Sequence, residues 1–364
     1  MKFLLEILGM TNYCNLNCAY CDWEKKPYFN LEEKDIKVMK SNINKLSKFI
    51  YNNYPEIQIV EYSGGEPFLY PEIIQELLNA FRDKWIRIIT NGLLIKDEHI
   101  KQFKERGKIF IAVSLDGHTL DLNKSRFGTN QKNFDKVINT LDKLVLNEIP
   151  TMILCTLSEK NINSFPEYID FIEKRYSKAI SRGKLVLPAH SICDYGKDRG
   201  RADKYDSNNF IKYIEEENGK HPIIKNILKH YENLGYFLKN RNRFRPCKLY
   251  DWSISVHFRG DQIVKNGNFN SFGCGMRGLV DFGIKNINND IELIEYKQQI
   301  DKDNLKEIFE NPIKAPYQCR KECFVDWEAF DLILNGDISV EEAEAWFEIF
   351  KDKNIKEFIK NYKF

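Results

Sequence analysis

Cys14, Cys18 and Cys21 stand in one short run, Cys14-Asn15-Leu16-Asn17-Cys18-Ala19-Tyr20-Cys21, with C-x3-C-x2-C spacing. Three thiols this close cannot all pair off as disulfides. Their thiolates can converge on one soft metal site. Three is one ligand short of a closed four-cysteine set, and an open position at a metal is where chemistry takes place. A [4Fe–4S] cluster held by three cysteines leaves one iron free to bind a substrate or cofactor. Two other readings stand beside this one. Cysteine also serves as a small core residue. A structural zinc would want C-x2-C pairs with a fourth Cys or His nearby, and no His lies close in sequence: His99 and His118 are the first two.

Four more cysteines lie far along the chain: Cys247, Cys274, and Cys319 with Cys323 as a C-x3-C pair. Four thiolates make one closed [4Fe–4S] site, and a structural zinc on the same four is the alternative. A ligand other than Cys, such as Asp326, also fits there. Cys155 sits in the apolar run Met152-Ile153-Leu154-Cys155 and reads as a small core hydrophobe.

The elements that must position these groups follow from periodicity. Apolar or β-rich runs occur at 2–9, 57–63, 85–90, 108–115, 151–157 and 184–189. Segments with helical spacing lie between them, at 31–53, 72–83, 96–106, 131–147 and 164–180. Strands alternating with helices predict βαβ units and a parallel sheet. Six such units fit an α/β fold of the partial (β/α)6 TIM-like barrel type, over residues 1–195. In parallel barrels the chemistry sits at the C-terminal ends of the strands. Residues 196–246 are rich in charge, Asn and Lys, and read as a helical bridging region with helices at 207–217 and 222–240. Residues 247–330 read as a small hairpin-bearing module, with strands at 253–258 and 262–264 around Arg259-Gly260-Asp261. Residues 331–364 form a helical end, and Ser339 with Glu342 predicts a capping box.

Composition narrows the function classes. The chain has 364 residues, 43% apolar and 30% charged, which is ample for a core. A net charge of +2 gives no electrostatic case for nucleic acid or a membrane surface. There is no run of 18 apolar residues. Met1-Lys2 leads straight into the first strand with no small-residue cleavage site. Nine cysteines without an export signal predict a cytoplasmic protein that uses them for metal or redox work.

Several motifs together carry a resemblance. The C-x3-C-x2-C run has aromatic Tyr20 just before its last Cys. Tyr62-Ser63-Gly64-Gly65-Glu66-Pro67 closes the second strand, Thr90-Asn91-Gly92 the third, and Val113-Ser114-Leu115-Asp116-Gly117 the fourth. In this order, each at a strand end, they resemble the radical S-adenosylmethionine (SAM) family over roughly two-thirds of the chain. Taken singly, a G-G-E or an S-L-D-G would be an ordinary turn.

The resemblance implies specific roles. Cys14, Cys18 and Cys21 would hold the [4Fe–4S] cluster, with the amino-acid end of SAM on its open iron. Gly64 and Gly65 would let backbone approach the ligand, and Glu66 or the backbone beside it would receive the ammonium group. Ser114 and Asp116 would contact the ribose or methionine end, and Tyr20 would pack near the adenine. Asn91 would support the same pocket. Arg126, in Asn123-Lys124-Ser125-Arg126, would help bind the SAM carboxylate. The implied chemistry is reductive cleavage of SAM to methionine and a 5′-deoxyadenosyl radical, which takes hydrogen from an unactivated carbon.

The distal cysteines Cys247, Cys274, Cys319 and Cys323 resemble the auxiliary-cluster module called SPASM or, in its shorter form, twitch. That implies one auxiliary [4Fe–4S] cluster. Cys193, in His190-Ser191-Ile192-Cys193-Asp194, follows the sixth strand at the active end and could give a hydrogen atom to a substrate radical. His190 and Asp194 could be acid–base groups or turn and cap residues. The expected substrate is a ribosomally made peptide precursor that is cross-linked, epimerised or oxidised. The alternative is dehydrogenation or epimerisation of a small molecule such as a sugar or aminocyclitol. A non-catalytic iron–sulfur electron carrier is disfavoured, since it needs no SAM pocket. An external one-electron donor of flavodoxin or ferredoxin type is implied. With the first cysteine at residue 14, a separate protein or another surface is expected to recognise any leader peptide.

Overall fold

The computed structural model describes residues 2–8, 13–21, 31–191, 207–217, 220–225, 228–240, 253–257, 270–272, 282–287, 290–295 and 328–362. Six parallel strands joined by helical connections open the chain. They are β1 (Leu4–Leu8), β2 (Ile59–Ser63), β3 (Trp85–Thr90), β4 (Ile109–Ser114), β5 (Thr151–Leu157) and β6 (Leu185–Val186). The helices between them are α1 (Glu33–Asn53), α2 (Pro71–Ala80), α3 (Asp97–Arg106), α4 (Lys124–Phe127), α5 (Gln131–Leu146) and α6 (Phe165–Ser181). β1 to β6 pair in parallel and in chain order, with Leu4 opposite Ile59, Ile86 opposite Ile109, and Thr151 opposite Leu185. This is an open, parallel, partial barrel.

The strands read as near-continuous apolar runs because they are covered on both faces. Ile109, Phe110, Ile111, Ala112 and Val113 of β4 are all buried. The helices supply the outer cover through one stripe each. α5 buries Phe134, Val137, Leu141 and Leu144, spaced at three and four residues along one face. The side chain of Asn130 caps that helix by accepting from the Asn133 amide at 3.2 Å.

Three features depart from the sequence reading. The sixth strand is broken: β6 ends at Val186, and β7 (Ala189–Ser191) pairs with β5 opposite Cys155, Thr156 and Leu157. Leu187-Pro188 separates the two pieces, and Pro cannot donate to a ladder. The strand expected at 253–258 does not stand apart in a small module. It is β8 (Ser253–His257), and it lies parallel to β1 on the open edge of the barrel sheet, with Leu4 opposite Ser253. β9 (Asn270–Phe272) then runs antiparallel to β8. A separate hairpin joins β10 (Phe282–Ile287) to β11 (Asp290–Glu295). The run at 262–264 lies outside the described residues.

The bridging region holds α7 (Asn208–Glu216), α8 (Pro222–Lys225) and α9 (Leu228–Asn240). The C-terminal end is three helices, α10 (Glu328–Leu334), α11 (Val340–Trp346) and α12 (Lys353–Asn361), with a 3₁₀ turn at Glu348–Lys351. The predicted capping box is present. Ser339 Oγ accepts from the Glu342 amide at 3.1 Å, and the Ser339 amide donates to Glu342 Oε2 at 2.6 Å. This end packs where the strands begin. Phe3 meets Phe330 and Phe358 at ring separations of 4.7 and 4.5 Å. The Trp85 indole donates to Asp352 at 2.9 Å, and Lys184 pairs with Glu348 at 2.6 Å. The C-terminal helices therefore seal the N-terminal ends of the strands and leave the other end to the site.

Among the described residues, no helix is long and apolar enough to cross a membrane.

Candidate functional site

Cys14, Cys18 and Cys21 lie on the loop after β1, all half-buried and none in a disulfide. The loop is pinned to three strand ends. At β2, the Glu66 amide donates to the Tyr13 carbonyl at 2.8 Å. Gly65 makes that approach possible, because a Cβ there would sit 2.0 Å from the Tyr13 oxygen. At β3, Asn91 Nδ2 donates to Asn15 Oδ1 at 2.7 Å and reaches Cys14 Sγ at 3.8 Å. Beyond β4, the Ala19 amide donates to the Ser125 carbonyl at 2.8 Å, and the Tyr20 hydroxyl donates to Asp116 Oδ2 at 2.5 Å.

Electrostatics couples the three thiols. Burial pushes the Cys14 thiol up to about 11; the Leu16 amide pulls the other way, while Glu66 and the charges of Cys18 and Cys21 raise it further. Without a cation, Cys14 therefore keeps its proton, and a metal centre must displace it. Among the described residues, no three His, Cys, Asp or Glu side chains are grouped to hold a single metal ion. A polynuclear cluster asks for something different, one thiolate on each of three irons. An all-sulfur, half-buried, mutually coupled set on a locked loop fits that group.

Glu66 is fully buried at the end of β2. Its Oε1 accepts from the Phe68 amide at 3.1 Å and the Thr90 hydroxyl at 2.6 Å, and its Oε2 accepts from the Asn91 amide at 2.8 Å. Burial raises its carboxyl to about 7 despite these three donors. The side chain thus braces β2 against β3. Asn91 is held in turn, its Oδ1 accepting from the Leu93 amide at 2.9 Å.

Asp116 and Arg126 form a second buried group beside the loop. Arg126 grips the carboxylate with Nε at 2.7 Å and Nη2 at 3.0 Å, and its guanidinium lies 5.2 Å from the Tyr20 ring centre. Ser114, half-buried at the end of β4, has no hydrogen bond from its hydroxyl to the described residues. Cys155 is fully buried, as expected of a core residue. Gly64 falls within the same β2 turn. Cys193, Cys247, Cys274, Cys319 and Cys323 lie outside the described residues, as does Asp194.

Sequence reasoning missed several supports: Tyr13, Asn15, Thr90, Asn123, Thr156 and Asn161. Asn123 Oδ1 accepts from the Asp116 amide at 2.8 Å, and Asn161 Nδ2 donates to the Asp116 carbonyl at 2.8 Å. Both asparagines are buried. Buried Asn is uncommon, but its burial carries no mark in the sequence.

Comparison with known proteins follows the same division of the chain. The Radical SAM superfamily matches residues 8–172. The chain is 28% identical to the Fe-coproporphyrin III synthase of Methanosarcina barkeri over 170 residues, covering 46% of this chain and 40% of that protein. It is 26% identical over 313 residues to uncharacterized protein MJ0907 of Methanocaldococcus jannaschii, covering 82% and 94%. It is 25% identical to the sporulation killing factor maturation protein SkfB of Bacillus subtilis, covering 45% and 38%. Among solved structures, SuiB of Streptococcus suis bound to S-adenosylmethionine superposes with a TM-score of 0.53 at 16% identity, over 86% of this chain and 67% of that one. SuiB bound to precursor peptide SuiA gives the same TM-score and identity, over 86% and 66%. That likeness is one of fold. The segment that matches the Radical SAM superfamily, residues 8–172, holds the cysteine loop, the G-G-E turn and the Asp116–Arg126 pair in one connected site.

Proposed function

We propose that this protein binds a [4Fe–4S] cluster through Cys14, Cys18 and Cys21, binds SAM beside it, and modifies a carbon of a peptide substrate. The observation that carries the reading is the cysteine loop itself: three coupled thiols locked to the ends of β2, β3 and β4. Cys14, Cys18 and Cys21 would hold the cluster, which together with SAM would supply one-electron chemistry able to activate a substrate C–H bond.

The chain's own residues divide the remaining work. The Arg126 Nη1 is not used by Asp116 and is offered to the methionine carboxylate. Glu66 uses three acceptor sites within the protein and keeps one on Oε2, so the ammonium group would be received there or by backbone carbonyls beside it. Ser114 offers its hydroxyl to the ribose or methionine end, and the Tyr20 ring lies near the adenine. Gly64 and Gly65 keep that wall thin, and Asn91 steadies the loop. Cys247, Cys274, Cys319 and Cys323 would hold one auxiliary [4Fe–4S] cluster of the SPASM or twitch kind, which would supply an electron acceptor or a substrate-binding site. Where the product is an epimer, Cys193 would give its S–H hydrogen atom to the substrate radical, leaving a thiyl radical that one electron from the external donor and a proton would restore. A flavodoxin- or ferredoxin-type protein supplies the electron, and a separate protein presents any leader peptide.

The peptide reading is favoured by two comparisons, the maturation protein SkfB and the SuiB complex with a precursor peptide. A small-molecule substrate is the second reading, favoured by the resemblance to Fe-coproporphyrin III synthase. Reconstituted protein given SAM and dithionite should release 5′-deoxyadenosine, and Cys14→Ala should abolish it. Iron should be about eight per chain, falling to about four when Cys319 and Cys323 are replaced. Absence of 5′-deoxyadenosine from fully reconstituted protein would overturn the reading. Turnover of a sugar but of no peptide would decide for the second.

A further inference from the structure

Asp116 has no acceptor site left for a ligand. An ionised carboxylate offers about four lone-pair sites. Oδ1 accepts from the Thr156 amide at 3.0 Å and Arg126 Nη2 at 3.0 Å. Oδ2 accepts from Arg126 Nε at 2.7 Å and the Tyr20 hydroxyl at 2.5 Å. Its side chain is 3% exposed. Its backbone is equally committed, to Asn123 through the amide and to Asn161 through the carbonyl.

We propose that Asp116 is a positioning residue that acts through Tyr20 and Arg126, not a residue that touches SAM. One carboxylate joins two parts of the site. Tyr20 belongs to the cysteine loop, one residue before Cys21, and Arg126 follows β4. The Arg126 guanidinium also lies against the Tyr20 ring, so the three side chains form one closed triangle. Burial alone would weaken the charge on Arg126, and Asp116 restores it. Order in the cysteine loop and aim of the cofactor-facing arginine are thereby linked. The link to SAM rests on the function proposed above; the link between loop and barrel does not.

The substitution Asp116→Asn separates these roles. An asparagine presents one acceptor and one NH2 donor where four donors converge. Whichever way it turns, its NH2 faces at least one Arg126 N–H, a like donor. In cluster-free, SAM-free protein, hydrogen exchange of the Ala19 and Cys21 amides should quicken at least about tenfold in Asp116→Asn. Tyr20→Phe removes a single hydroxyl and should give a smaller rise at the same amides, so the test survives if Asp116→Asn folds poorly. In reconstituted protein, both variants should raise KM for SAM more than they lower kcat. Unchanged loop exchange in both variants would overturn the proposal. So would unchanged exchange in Asp116→Asn with weakened SAM binding, which would make Asp116 a direct ligand. If wild-type protein cleaves no SAM, the functional reading fails, while the exchange result still decides the clamp.

Discussion

Gly65→Ala tests how the cysteine loop is held. An added Cβ would lie 2.0 Å from the Tyr13 oxygen, 2.5 Å from its carbonyl carbon and 2.9 Å from its nitrogen. All three are backbone atoms, so no side-chain rotation relieves the clash. Ordinary contact at about 3.5 Å requires about 1.5 Å of separation. That takes the Glu66 amide, now 2.8 Å from the Tyr13 oxygen, well beyond hydrogen-bonding range. The lost bond is worth about 1–3 kcal/mol and the overpacking about the same. Together they load about 2–6 kcal/mol onto the loop that carries Cys14. Since about 1.4 kcal/mol is tenfold, the lower end predicts roughly a thirtyfold loss of competent loop. Iron and sulfide retained after reconstitution, and 5′-deoxyadenosine formed per chain, measure it. Gly107→Ala is the control. Gly107 has φ of 63° and nothing within 4 Å of an added Cβ, so alanine strains the end of α3 without touching the site. It should cost about 1 kcal/mol or more of stability and leave iron unchanged. Wild-type iron and SAM cleavage in Gly65→Ala would refute the reasoning.

Other outcomes follow from buried groups. Burial raises Glu66 from 4.5 to about 7, so the native state keeps a proton that the unfolded chain has lost. That contribution is full below pH 4.5 and falls away up to about pH 7, by about 3 kcal/mol. Denaturation of wild type and Glu66→Gln across this window should give curves of different slope; parallel curves would contradict it. Phe350→Ala removes a ring 4.9 Å from Phe330 and 6.0 Å from Trp346, and should cost about 3–5 kcal/mol in chemical denaturation. Its KM for SAM should stay at the wild-type value, because the ring lies at the far end of the barrel. Cys155→Ser replaces a fully buried thiol, which donates to the Asp116 carbonyl at 3.8 Å, with a shorter-reaching hydroxyl and should lower stability by about 1–3 kcal/mol. Iron content should be unaffected, and loss of iron would show that this thiol does more than pack.

What could be read from the sequence divides along physical lines. Strands buried on both faces announce themselves as apolar runs, so β2, β3, β4 and β5 fall within the segments 57–63, 85–90, 108–115 and 151–157. The cysteine loop and the strand-end motifs stand out equally in the sequence, because close-set thiols and close backbone approach restrict residue type. Partners distant in sequence were not. Alternation at Ser253 to Val256 predicts a strand, but nothing local tells it to lie against β1, some 250 residues earlier. The helical end at 339–363 reads as one amphipathic stretch. In the structure Asp352 breaks it, capping α12 through Asn354 while accepting from Trp85 of β3.

The carboxylates show the same limit at the site. Glu66 and Asp116 look alike in sequence, each an acid beside glycine at a strand end, and each suits a direct contact to the cofactor. The structure commits both to the protein. Glu66 is taken up by two backbone amides and the Thr90 hydroxyl, Asp116 by Thr156, Arg126 and Tyr20. Spacing specifies which charges stand near the pocket, but whether a charge faces the pocket or braces its wall depends on how many donors converge on it. Here the bracing has a purpose that direct contact would not serve. On the function proposed above, a loop of nine described residues, Tyr13 to Cys21, must hold three thiols in place before a cluster binds. The acids at the ends of β2 and β4 supply that order through Asn91, which reaches Asn15 and Cys14, and through Tyr20.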